Sequence, residues 1–166
     1  MHNQDKEKNF VSAIVYLRNN QDNIVKFLDI VNTFLNDNFL TYEIICVNDA
    51  STDDSTNRIK DFINSHNNIK TITILNMSYY QGTEKSMHAG VDLAIGDFVY
   101  EFDTTTISYP VEILKEVYSK CLSGFDIISA SPKSSHHIQA KCFYKLYNKI
   151  SNSEYTLKTE AFRILS

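Results

Sequence analysis

Phe10 to Leu17 reads Phe-Val-Ser-Ala-Ile-Val-Tyr-Leu, a nearly unbroken apolar run closed by Arg18-Asn19-Asn20. A short apolar run ending in polar turn formers predicts a strand buried on both faces. Beyond it, Ile24, Phe27, Leu28, Val31 and Leu35 recur at helical spacing. Asn19 or Asn20 is placed to cap that helix and Asn36-Asp37-Asn38 to close it. Tyr42 to Val47 is a second strand. In the polar stretch after it, Ser51 or Thr52 can cap a helix with Asp53 and Asp54 in its first turn and Ile59, Phe62 and Ile63 on its apolar face.

The rhythm then repeats. Ile69 to Leu75 predicts a third strand and Thr83 to Ala94 a helix. Gly96-Asp97 opens the strand Phe98 to Phe102, rich in aromatic and β-branched residues. A helix from Ser108 to Leu122 and a fifth strand from Phe125 to Ala130 follow. Ile138 to Ile150 has helical spacing, Ser151-Asn152-Ser153 breaks it, and Thr156 to Ser166 ends without a terminating signal, as in a piece of a longer chain. Strands alternating with helices predict right-handed βαβ crossovers: an α/β fold with a mostly parallel sheet and helices on both faces. A single domain over residues 1–166 accounts for the whole pattern.

Composition adds exclusions. The net charge of -4 speaks against a nucleic-acid surface, so no nucleic acid is expected as partner. Cys46, Cys121 and Cys142 form no Cys-x-x-Cys pair, which removes the usual zinc and disulfide frameworks. His2 to Asn9 lacks the apolar region of a signal peptide, and no segment approaches about 20 apolar residues. The expectation is a cytoplasmic domain without a transmembrane segment.

Candidate chemistry gathers where strands end. Asp49 lies just beyond the second strand and Asp103 just beyond the fourth, at the edge where open α/β sheets bind ligands. Either they converge on one crevice or they cap loops. Glu101 and Asp103 have D-x-D-like spacing, and Glu101 is either a ligand or a buried group in need of a structural partner. Gly82 and Gly90 mark tight turns or close packing. No dinucleotide, P-loop or nucleophile-elbow motif occurs. The adjacent His136-His137 pair reads as loop residues. A phospho-acceptor receiver would need an acidic pair where Arg18-Asn19-Asn20 stands and an acceptor Asp where Asn76-Met77-Ser78 stands.

Several segments carry a resemblance in their order. They are Val11 to Asn20, Tyr42 to Asp53, Gly82 with Ala89-Gly90, Ala94-Ile95-Gly96-Asp97, Asp103 with Pro110 and Glu112, and Phe162-Arg163-Ile164-Leu165-Ser166. Together they resemble the nucleotide-binding part of a family 2 glycosyltransferase of GT-A fold, most like the polyprenyl-phosphate sugar transferases. The resemblance implies a nucleotide-diphospho-sugar donor and transfer to an acceptor, a lipid-linked phosphate or a glycan. It implies nucleoside contacts from Leu17, Asn19, Asn48, Asp49, Gly82 and Glu101. It also implies Mg²⁺ or Mn²⁺ held by Asp103 and Thr105, and catalytic roles for Asp103, Glu160 and Arg163. Arg163 either contacts phosphate or steadies its own loop.

The departures from the family pattern are specific. Asn48 replaces the first Asp of an Asp-Asp pair, and Tyr79-Tyr80-Gln81-Gly82 stands where relatives often have Arg-Asn-x-Gly. Asp103-Thr104-Thr105 stands for D-x-D, and Ala161 removes an acid beside Phe162-Arg163. A catalytically inactive module that binds nucleotide-sugar or protein partners is the alternative these departures imply.

Overall fold

A computed structural model describes residues 6–66, 71–131 and 161–166. Along the chain run β1 (Glu7–Leu17), α1 (Ile24–Asn38), β2 (Phe39–Asn48), α2 (Ser55–Ser65), β3 (Ile72–Asn76) and α3 (Thr83–Leu93). They are followed by β4 (Phe98–Phe102), α4 (Glu112–Cys121), β5 (Ile127–Ala130) and β6 (Phe162–Leu165). The six strands form one sheet in the order β3-β2-β1-β4-β6-β5. β1 is parallel to β2 and β4, and β2 to β3, whereas β6 is antiparallel to both its neighbours.

The sheet is packed from both sides, as the apolar pattern requires. Leu17, Val15, Ile44, Cys46, Tyr100 and Phe102 face α1, α2 and α4, while Ile14, Ile45 and Val47 face Met87 of α3. Edge-to-face aromatic pairs stitch the larger side, among them Phe27 on Phe102 at 5.4 Å and Phe39 on Tyr118 at 4.9 Å. Tyr100 is fully buried, and its hydroxyl donates to the Leu114 carbonyl at 2.6 Å, tying β4 to α4. Burial pushes that phenol far up.

Several boundaries differ from the sequence expectation. The sixth strand was not expected. Phe162-Arg163-Ile164-Leu165 alternates buried and outward positions, but four residues are too few for a periodicity to declare itself. α2 starts at Ser55, so Asp53 and Asp54 precede it and do not lie in its first turn. Ser51 and Thr52 do not cap it but bond to Asn19 across the neighbouring loop. α4 begins at Glu112, four residues after the expected start at Ser108, because Pro110 disfavours helical geometry at Tyr109. The expected helix over 138–150 and the pair His136-His137 lie outside the described residues, as do Ile69 and Cys142.

At the amino edge of the sheet the turn before β4 is held by a buried carboxylate. Glu43 accepts from the Ser12 hydroxyl at 2.6 Å and from the Ile95 amide at 3.0 Å, and Ser12 Oγ accepts from the Gly96 amide at 2.9 Å. Gly96 is required there by contact. A Cβ would lie 2.6 Å from the Ser12 backbone nitrogen and 2.7 Å from its Oγ. Backbone cannot yield as a side-chain tip can. Gly96→Ala is therefore expected to lower stability by about 2 kcal/mol, the usual scale of overpacking, read as a lower urea midpoint with an unchanged slope.

Candidate functional site

The carboxyl ends of β1, β2, β3 and β4 share one edge, and the loops beyond them are laced together. Asn19 donates its amide to Ser51 Oγ at 3.0 Å and accepts the Thr52 amide on its side-chain oxygen at 2.8 Å. The Asn20 amide reaches Ser55 Oγ at 2.9 Å, and the Gln21 amide reaches Asp53 Oδ2 at 3.0 Å. The first two loops thereby behave as one ledge. Its two left-handed non-glycine residues are Asn19 (φ 52°) and Ala50 (φ 53°). Such conformations cost on the order of 1 kcal/mol at Ala and persist only where surrounding bonds enforce them. They concentrate at this edge.

Asp49 is fully buried at the end of β2. Its Oδ1 accepts the Gln81 amide at 2.7 Å, and its Oδ2 accepts the Gly82 amide at 2.9 Å and the Tyr16 hydroxyl at 3.1 Å. A buried carboxylate needs this many donors to remain charged. The bonds fix the start of α3, where Gly82 takes φ 87°, a region that favours glycine. The Asp49 carbonyl accepts from Arg18 Nη1 at 2.8 Å, and the Arg18 guanidinium lies 4.0 Å over the Tyr80 ring. Asn48 uses its whole amide: Nδ2 donates to Thr56 and Asn76, and Oδ1 accepts the Ser51 amide. Leu17 is in the core and gives the edge only its carbonyl, which accepts the Asp49 amide at 3.0 Å.

One strand, β1, separates β2 from β4, so Asp49 and Asp103 sit on the same edge about 10 Å apart at ordinary strand spacing. They share the edge without touching. Asp103 follows β4 directly. Desolvation by the surrounding protein raises its carboxyl pKa, against the pull of its own amide and the Arg163 guanidinium. Tyr109 beside it is pushed up first by burial and then by the Asp103 charge. Two residues on, Thr105 is buried and its Oγ1 has no hydrogen-bond partner. A carboxylate and an unpartnered hydroxyl are both hard oxygen donors of the kind that suit Mg²⁺ or Mn²⁺, though Asp103 is exposed where Thr105 is buried. Among the described residues no group of three or more His, Cys, Asp or Glu gathers for a metal.

Of the two roles open to Glu101, the structure shows the ion pair. Glu101, 4% exposed, sits opposite Arg163 in the β4–β6 ladder and pairs with it. Arg163 accordingly steadies its own strand. Glu160 lies outside the described residues. Sequence reasoning missed Tyr16, Arg18 and Tyr80 as parts of the edge. No signal in the sequence marked them, because Arg18 and Tyr80 lie about 60 positions apart and meet only in the fold. Because the guanidinium is half exposed, removing it should cost less than the roughly 3–5 kcal/mol of a fully buried pair. Arg163→Met is expected to lower unfolding stability by about 2 kcal/mol in urea titrations. Adding Glu101→Met should recover part of that loss.

Known proteins share this architecture. The mannosyltransferase PcManGT from Pyrobaculum calidifontis, solved with GDP-Man and Mn²⁺, superposes with a TM-score of 0.72 at 15% identity over 96% of this chain and 45% of that one. Glucosyl-3-phosphoglycerate synthase from Mycobacterium tuberculosis, solved with Mn²⁺, UDP and phosphoglyceric acid, gives 0.68 at 15% identity, covering 95% and 56%. Among curated relatives, the uncharacterized glycosyltransferase sll0501 of Synechocystis sp. is 30% identical over 161 residues, 93% of this chain and 49% of the relative. The prophage bactoprenol glucosyl transferase homolog of Escherichia coli is 28% identical over 162 residues, 94% and 52%. An undecaprenyl-phosphate 4-deoxy-4-formamido-L-arabinose transferase of Proteus mirabilis is 26% identical over 151 residues, 91% and 44%. The chain thus spans about half the length of the curated relatives it matches. With residues 12–135 matching the model of that family on a GT-A-like sheet, the chain belongs to glycosyl transferase family 2.

Proposed function

We propose that this chain is the donor-binding domain of a transferase that moves a sugar from a nucleotide-diphospho-sugar to a lipid-linked acceptor phosphate. The observation that carries the reading is the Asp103 carboxylate at the carboxyl end of β4, two residues before the buried, partnerless Thr105 hydroxyl. Relatives named for bactoprenol and undecaprenyl phosphate support the acceptor class. No helix among the described residues is long and apolar enough to cross a membrane.

In this reading Asp103 and Thr105 hold Mg²⁺ or Mn²⁺, which when bound neutralises charge on the departing nucleoside diphosphate. The ledge formed by Asn19, Ser51 and Asp49 orients the nucleoside half. An acceptor phosphate oxygen forms the new bond to the sugar's anomeric carbon, and the old carbon–oxygen bond breaks with its electron pair leaving on the diphosphate. An ionised phosphate nucleophile carries no proton to remove, so transfer to it requires no general base. The Glu101–Arg163 pair keeps a fixed positive charge beside Asp103.

A second reading has one observation in its favour. Thr105 stands where a second carboxylate would bind the ion, and Glu101 is committed to Arg163. A module that binds nucleotide-sugar without turnover follows from that. Calorimetric titration with UDP- and GDP-sugars, with Mn²⁺ and with chelator, tests both readings. Mn²⁺ is expected to tighten binding, Asp103→Asn to abolish the Mn²⁺ effect, and Thr105→Val to weaken it severalfold. Equal affinity with Mn²⁺ and with chelator would sink the cation reading. Binding without transfer to polyprenyl phosphate by the full-length protein would favour the inactive module.

The raised Asp103 pKa sets two signs. Cation binding needs the carboxylate, so the Mn²⁺ effect should fade on acidification at a pH above the ordinary carboxyl value of 3.8. The native state holds that proton more tightly than the unfolded chain, so the carboxyl contributes stability only while protonated and loses it as pH rises through the folded value. Asp103→Asn should then leave the melting temperature at neutral pH unchanged or higher while the Mn²⁺ effect disappears.

A further inference from the structure

Asp103 and Thr105 ride on the loop between β4 and α4, and the loop's own bonding does little to fix them. The Thr106 amide reaches Thr104 Oγ1 at 3.3 Å, a bond from one loop residue to another. Asp103 and Thr104 are exposed, and Thr105 Oγ1 has no partner. The packing that leaves the loop is apolar: Ile107, Tyr109 and Val111 lie against the larger core. Tyr109 crosses to another strand. Its ring centre lies 4.9 Å from that of Phe162 on β6, with the planes 36° apart.

Phe162 is a firm seat. It is deeply buried, and its ring lies 5.8 Å from Phe102 and 6.4 Å from Tyr100, centre to centre. Successive strand residues point to opposite faces, so Phe162 packs into the larger core while Arg163, the next residue, pairs with Glu101 on the other face. β6 thus grips the end of β4 twice, once from each side of the sheet. Through Tyr109 the first of these grips extends to the loop beyond β4. Aromatic pairs at this separation prefer particular arrangements and hold more strongly than their buried area alone. The Tyr109 phenol, pushed up by burial and then by the Asp103 charge, lies near that carboxylate.

Tyr109 stands six positions after Asp103, so fixing it limits where the carboxylate can go. A ligand group that must be ordered when a cation arrives binds it less tightly than one already in place. Resting on the donor-binding reading above, we propose that Tyr109 is a positioning residue: seated on Phe162, it holds the β4–α4 loop so that Asp103 is in place for the cation on the donor's diphosphate. It acts through the loop and supplies no ligand of its own.

The test is calorimetry on the whole chain with the UDP- or GDP-sugar that the wild type binds, in Mn²⁺ and in chelator. The proteins are the wild type, Tyr109→Phe, Tyr109→Leu, Phe162→Leu and the double Leu variant, and the quantity read is the ratio of the two affinities. Tyr109→Leu should lower that ratio about fivefold, the scale of one side chain left to be ordered on binding, with the affinity in chelator unchanged. Tyr109→Phe should stay within about twofold, since the ring and not the hydroxyl sits on Phe162. Phe162→Leu should lower the ratio as Tyr109→Leu does, and the double variant no further, because all three remove one contact. Phe162 is deeply buried, so if Phe162→Leu does not fold the two Tyr109 variants decide alone. An unchanged ratio in Tyr109→Leu would overturn the proposal, because the ring would then serve stability only. An equal loss in chelator, or in Tyr109→Phe, would overturn it too. A wild-type ratio of one would instead retract the cation reading itself.

Discussion

Asp49 is fully buried, so the backbone has to come to its carboxylate. That single requirement organises the carboxyl edge. Two successive amides from the β3–α3 loop and the Tyr16 hydroxyl converge on one carboxylate. Charge-assisted bonds of this kind are shorter and stronger than neutral ones, and a missing partner would be expensive. The loop is consequently drawn down onto the sheet, Gly82 takes its left-handed turn, and α3 starts where it does. Tyr80 is carried into place as a by-product. The carboxylate ties the β3–α3 loop and Tyr16 of β1 to the end of β2.

Asn48 is understood from the same edge. An aspartate there would add a second buried negative charge next to Asp49 and would have no hydrogen to offer. The amide offers two, to Thr56 and Asn76, while its oxygen takes the Ser51 amide. The departure from the family's acidic pair is thus absorbed by neighbours that match it. Charge lost at this position is compensated locally in hydrogen bonds that fix the ledge.

Most of the fold was legible because its message is local and repeated. The run from Phe10 to Leu17 and the helical spacing from Ile24 to Leu35 could be read without any partner. What failed to show was whatever depends on partners distant in sequence. Four residues around Arg163 become a strand only because β4 and β5 each leave an edge for it. Glu101 could not be resolved between ligand and ion pair until its neighbour across the ladder was known, 62 positions away. Ser51 and Thr52 have the chemistry of helix caps, but Asn19 competes for them from another loop. At the site, Asp49 and Asp103 stood out as residues at strand ends and Gly82 as a turn glycine. The Arg18–Tyr80 contact did not, since nothing in the sequence says that two such loops will lie side by side.

The antiparallel insertion of β6 also bears on how the molecule is made. Among the described residues β5 has its ladder with β6 alone, and β6 lies between it and β4. A ribosome delivering the chain from its amino end would release β1 to β4 able to pair at once, yet β5 would emerge with nothing to zip onto. Unsatisfied strand borders would face solvent until β6 had been translated, an interval in which nascent copies are most prone to stick to one another. Synthesis pauses or chaperone contact over that interval would shape the yield of this domain more than the strength of its finished core.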